Sequence, residues 1–156
     1  MIINYNYEKA VWAFEYATLI DETFLGAYME KAKSYEKLKK YQDAIDCYTI
    51  TLELDDPSSF VLLRIAKCYE RTGNIEFALN YYLKTVHEDP LLDKGWIAIT
   101  DFYIRQKNFS KALYYVNKAI GIDGDNSLYW KRFAAINTAL HFYEEAEYGY
   151  RKAFES

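Results

Sequence analysis

Residues 58–92 read SSFVLLRIAKCYERTGNIEFALNYYLKTVHEDPLL. Leu62, Ile65, Ala66 and Tyr69 follow the i, i+3, i+4, i+7 spacing of one face of an α-helix, and Ala78, Tyr82 and Val86 continue at i, i+4, i+8. Gly73-Asn74 interrupts the two runs, and Pro90 cannot extend the second. The stretch therefore reads as two amphipathic helices folded back on each other.

The rest of the chain repeats this hairpin. A step of 34 residues carries Ala44 to Ala78, Ala112 and Ala146, and Tyr28 to Leu62, Trp96 and Trp130. It also carries Ala32 to Ala66, Thr100 and Ala134, Tyr35 to Tyr69, Tyr103 and Asn137, Tyr41 to Ile75, Phe109 and Tyr143, and Tyr48 to Tyr82, Val116 and Tyr150. This pattern closely resembles the tetratricopeptide repeat (TPR) family, which places a large aromatic, then Leu, Gly/Ala and Tyr, then Ala, Phe and Pro over the same period. The resemblance implies an all-α solenoid of stacked antiparallel hairpins, with nine helices, no strand, and contacts only between neighbouring repeats.

In register, 5–24 is the second helix of a truncated repeat, 25–58, 59–92 and 93–126 are full repeats, and 127–156 is the last, within one array over 1–156. The recurrent alanines should lie where paired helices approach most closely, and the aromatics between hairpins. That use accounts for 17 Tyr, 9 Phe and 3 Trp without any cofactor box. Ser59, Asp93 and Ser127 are expected to cap the leading helices. Lys31, Gly124 and Asn137 depart from the family's apolar residue, Pro and Tyr.

Composition narrows the function. A net charge of −4 argues against a sequence-independent grip on nucleic acid, which needs many Lys and Arg facing phosphates. The sequence holds no apolar run of membrane-spanning length, and residues 1–4 lack the basic start of a signal peptide. Cys47 and Cys68 read as small buried hydrophobes, which favours a reducing, cytoplasmic setting. His87 and His141 have no partner at ligand spacing, and there is no nucleophile elbow or phosphate-binding glycine loop. No cofactor, metal or catalytic role is expected.

The expected function is a non-catalytic scaffold that binds a peptide or partner surface in the groove lined by the leading helices. The alternatives are an architectural or oligomerisation segment of a larger protein, and the targeting arm of an enzyme encoded elsewhere in its parent chain. By resemblance, the groove stripe comprises Met29, Lys33 and Lys37, then Phe60, Leu63, Lys67 and Arg71, then Lys94, Ile97, Asp101 and Arg105, then Leu128, Lys131 and Ala135. Lys37, Arg71 and Arg105 recur at the 34-residue step as a basic ladder, so the expected ligand is acidic or carboxylate-bearing. The opposing reading is a solvated face paired with Glu36 and Glu70.

Some family members bind chaperone tails through a clamp of Lys and Asn on successive leading helices. The matching positions are Met29 and Lys33, Arg64, and Lys94 and Ala98, where only Lys94 fits, so chaperone-tail binding is not expected. Trp12, Phe14, Tyr150, Ala153 and Phe154 are expected to present apolar faces at the two ends, consistent with a piece of a longer array or end-to-end self-association.

Overall fold

The computed structural model describes residues 2–21 and 24–155, with side chains from residue 5 onward. Glu22 and Thr23 of the 5–24 segment, and Ser156 at the end of the last repeat, lie outside the described residues. Among the described residues there are nine helices and no strand. They are α1 (Ile2–Ile20), α2 (Leu25–Lys37), α3 (Tyr41–Leu54), α4 (Ser59–Arg71), α5 (Ile75–Glu88), α6 (Asp93–Arg105), α7 (Phe109–Ile122), α8 (Ser127–Ala139) and α9 (Tyr143–Glu155).

The helices group into two compact units, Met1–Glu88 with α1 to α5 and Asp89–Ser156 with α6 to α9. Within each unit, the principal packing is between helices adjacent in sequence. Ala44 and Ala78 in the first unit, and Ala112 and Ala146 in the second, are all buried. A bare methyl at these places lets the hairpin helices close up, and the larger core residues then fill the space around them. Those residues include Tyr48, Ile65 and Tyr82 in the first unit and Ile99, Phe102 and Ile136 in the second.

Every full hairpin turns the same way. Lys39, Gly73, Lys107 and His141, one step apart, all have positive φ, between 58° and 83°. The following N–H, of Lys40, Asn74, Asn108 or Phe142, donates to the carbonyl five residues earlier at 2.8–3.0 Å. This wrap satisfies a carbonyl that the helix end would otherwise leave open. Only Gly73 adopts the left-handed region without a Cβ penalty.

The departures from the family pattern have local explanations. Gly124 replaces a proline, yet the group in use there is its carbonyl, which accepts the Trp130 indole N–H at 2.7 Å, as Pro90 accepts that of Trp96. Asn137 is buried and donates to the Phe133 carbonyl at 2.8 Å. Lys31 lies 3.8 Å from Glu15 on α1, whose carboxylate also accepts the Tyr35 hydroxyl at 3.1 Å.

The capping expectation needs correction. Ser59, Asp93 and Ser127 are the first helical residues, and the caps are Ser58, Leu92 and Asn126. Asn126 does the bonding in α8, accepting from Leu128 and Tyr129 N–H groups, while Asp93 is engaged as acceptor of the Tyr129 hydroxyl. The end-face expectation holds for Trp12 (63% exposed) and Phe154 (82%), with Phe14 half-buried. Ala153 instead is buried, because it shares the register of Thr51, Thr85 and Ala119, all turned into their own units.

Candidate functional site: a basic cleft on the first unit

A cleft of about 240 Å³ opens between the last turn of α2, the start of α3 and the face of α4. The lining from α2 is Glu36 and Lys37, and α3 contributes Tyr41. Arg64, Lys67, Cys68 and Arg71 come from α4 and fall on one side of it, because i, i+3, i+4 and i+7 return to the same face. Four cationic side chains thus stand around one carboxylate, on a chain whose net charge is negative.

That carboxylate is tied down. Glu36 Oε1 accepts Arg64 Nη2 at 2.7 Å, Oε2 accepts Arg64 Nε at 3.0 Å, and the Tyr48 hydroxyl also donates to Oε2. The pair is a two-pronged guanidinium–carboxylate fork in a partly dry place, with side-chain exposures of 33% for Arg64 and 11% for Glu36. Burial pulls the Arg64 pKa down, but the bonds and charge of Glu36, with Tyr48 behind them, more than reverse this, so it is raised. Burial, then the bond to Glu36, raises the Tyr48 phenol, which stays a donor at neutral pH.

In the next hairpin Tyr82 donates to Glu70 at 2.8 Å, the same 12-residue pairing one repeat on. Glu36 and Glu70 therefore bond to Tyr48 and Tyr82 of their own hairpins, and the strong ion pair of Glu36 is with Arg64 rather than with the ladder. The third repeat carries Ile104 and Val116 at these two positions, so both partners have become apolar together. In the α8–α9 hairpin the glutamate gives way to Thr138 while Tyr150 stays, and at 42% exposure its hydroxyl can bond to water.

Of the groove residues read from sequence, the cleft brings together Lys37, Lys67 and Arg71. Lys33 lies outside the lining, 3.2 Å from Glu30 and 5.8 Å above the ring of half-exposed Phe60, while Leu63 is half-buried. In the second unit Lys94, Arg105, Leu128 and Lys131 are exposed and Ile97 is half-buried. Asp101 there accepts Arg132 Nε at 2.8 Å. Sequence reasoning considered Arg64 only as a failed clamp position, and it missed Tyr41, which arrives from a second helix. The Glu36–Tyr48 spacing, repeated at Glu70–Tyr82, signals a held carboxylate, but it does not single out Arg64, whose place one step on is Ala98.

Cys68 lines the cleft as a protonated thiol: burial, followed by Glu36, pushes it up to about 12, and burial pushes Cys47 up to about 11. Both are unbridged. Among the described residues no His, Cys, Asp and Glu side chains gather into a metal-holding group, and no helix is long and apolar enough to cross a membrane. A second opening of about 270 Å³ on this unit is lined by Leu52, Pro57, Leu62 and Tyr81, with Lys84 and Glu88 among its charged residues.

Repeated helix hairpins joined by left-handed turns, with small residues at the helix crossings, define the class of α-solenoid repeat proteins. Residues 25–55 match the family model described as tetratricopeptide repeat. Solved structures extend the likeness in fold across 96% of the chain. MamA from Desulfovibrio magneticus RS-1 is 15% identical with a TM-score of 0.82, and 84% of its chain is covered. YrrB, described as a TPR protein with an unusual peptide-binding site, is 15% identical with a TM-score of 0.76 and 77% covered. The C-terminal part of a TPR repeat-containing protein from Cytophaga hutchinsonii is 19% identical with a TM-score of 0.86 and 59% covered. No curated protein sequence matches. The chain thus carries one segment that matches the tetratricopeptide repeat model and shares the fold of these solved repeat proteins.

Proposed function

We propose that this protein is a non-catalytic interaction module that captures an acidic or carboxylate-bearing peptide, with the basic cleft of the first unit as its docking point. The carrying observation is the convergence of Lys37, Arg64, Lys67 and Arg71 around a carboxylate already engaged by Arg64 and Tyr48. An incoming carboxylate therefore meets cations without facing an unengaged acid. YrrB, which shares the fold, is described as having a peptide-binding site, and this supports the class of function. Lys33, Phe60 and Leu63 belong to the proposed contact stripe of the first unit, and Lys94, Ile97, Asp101, Arg105, Leu128 and Lys131 are proposed as contact residues of the second unit by itself.

The repeat division 25–58, 59–92, 93–126 and 127–156 and a cytoplasmic setting are parts of the same proposal. The test is capture of the native partner by the double variant Lys37→Glu, Arg71→Glu, with helicity and melting as controls. The expected result is loss of capture with unchanged melting. Retained capture at physiological salt overturns the docking point. A second reading, self-association through the ends, is favoured by the exposure of Trp12 and Phe154. Its mark is a molar mass that rises with concentration in light scattering and falls back for Phe154→Ser.

A further inference from the structure

We infer that Arg64 is the directional anchor of the basic cleft, reading a carboxylate of an acidic peptide, and that Glu36 is the positioning residue that aims it. This deepens the function proposed above and rests on it. The geometry separates Arg64 from its cationic neighbours. Its Nε and Nη2 are fixed on the two oxygens of Glu36, at 3.0 and 2.7 Å. Glu36 is in turn held by the Tyr48 hydroxyl from α3. Three helices therefore fix one guanidinium plane.

A guanidinium has five N–H donors in a rigid fork, so an edge held through Nε and Nη2 leaves the Nη1 donors for another acceptor. Arg64 lines the cleft. The long side chains of Lys37 and Arg71 lose rotamer freedom when they order on a ligand, whereas Arg64 is ordered before the ligand arrives. The charge of Arg64 is locally balanced by Glu36. Attraction at a distance therefore comes from Lys37 and Arg71, and Arg64 contributes orientation. The occupant is an acidic peptide because the lining carries four cations and one engaged acid.

This division makes opposite predictions from a cleft that works by net charge alone. Glu36→Gln removes a negative charge from the site and, by charge alone, tightens an anionic ligand. If Glu36 positions Arg64, the same change weakens it. The probe is a fluorescein-labelled oligoglutamate followed by anisotropy against the intact protein, once with a free C-terminus and once amidated, so that terminal and side-chain carboxylates are distinguished. Glu36→Gln and Arg64→Lys are each expected to weaken binding roughly tenfold, and Arg64→Lys keeps the salt dependence because it keeps every charge of the cleft. Lys37→Gln is expected to flatten the salt dependence.

Far-UV circular dichroism at the binding temperature guards against unfolding, and Tyr48→Phe, which leaves the guanidinium–carboxylate fork in place, gives a milder second reading in the same direction. Equal or tighter binding by folded Glu36→Gln overturns the positioning role, and unchanged binding by Arg64→Lys overturns the anchor. Absence of binding by the unaltered protein to both peptides overturns the parent reading instead. Equal loss for the free and amidated peptides assigns the anchor to side-chain carboxylates, and loss confined to the free form assigns it to the terminus.

Discussion

The hairpins α4–α5 and α8–α9 share one register and reach the same fold by placing glycine differently. In α4–α5 glycine is in the turn, where Gly73 has φ 83°, and the seam between the helices is aromatic. Tyr69 stacks on Phe77 and Tyr81 at centroid distances of 5.4 and 5.5 Å. In α8–α9 the turn residue is His141, also left-handed at 65°, and the places of Tyr69 and Tyr81 are taken by Asn137 and Gly149. There the helices close onto each other: a Cβ on Gly149 would stand 2.7 Å from Phe133 Cδ1 and 3.1 Å from Ala134 Cβ. The buried Asn137 amide meets the Phe133 carbonyl instead of a ring.

One repeat frame therefore accommodates two seams, wide and aromatic or narrow and small. Each seam is set by a pair of residues rather than by one. The hairpin α6–α7 keeps the wide kind, with Tyr103 stacked on Tyr115 at 5.5 Å.

The sharpest way to break this contrast is Gly149→Tyr, which puts the residue of the α4–α5 and α6–α7 hairpins into a seam with no room for it. The expected loss is about 3 kcal/mol, the upper end for overpacking, measured by urea denaturation. A neutral outcome would mean that the narrow seam can open. Ala78→Leu attacks the wide hairpin at a residue that is 0% exposed, and should cost about 2 kcal/mol in the same measurement by overpacking. The smallest effects lie in the turns. Gly73→Ala should cost about 1 kcal/mol and His141→Gly should gain up to about 1 kcal/mol, read as opposite shifts of the thermal midpoint. Shifts of the same sign would show that the turns do not carry the strain that their φ angles imply.

The recurrence of Ala44, Ala78, Ala112 and Ala146 made the hairpins legible in sequence, because a close helix crossing tolerates so few side chains. The caps were less legible. Ser59, Asp93 and Ser127 are suitable cap residues one position too late, and capping depends on where the backbone leaves the extended region, which side-chain type alone does not fix. The cleft was legible in part. Spacing along one helix finds Lys67 and Arg71, but Tyr41 and the Glu36–Arg64 fork depend on how three helices meet. Asn137 read only as a departure from the family's Tyr, whereas it belongs with Gly149, and only the pair has a packing meaning.

The wrap bond that closes each hairpin also has a kinetic consequence. Lys40, Asn74, Asn108 and Phe142 lie at or beside solvent-facing turns, yet each amide is held by a carbonyl in the final turn of the preceding helix. Such an amide exchanges with deuterium only when that final turn lets go, so turn residues become reporters of fraying at the ends of α2, α4, α6 and α8. The four sites are evenly spaced in sequence and chemically alike. Their exchange rates, compared with one another, would give a profile of local opening along the chain, one reading per hairpin.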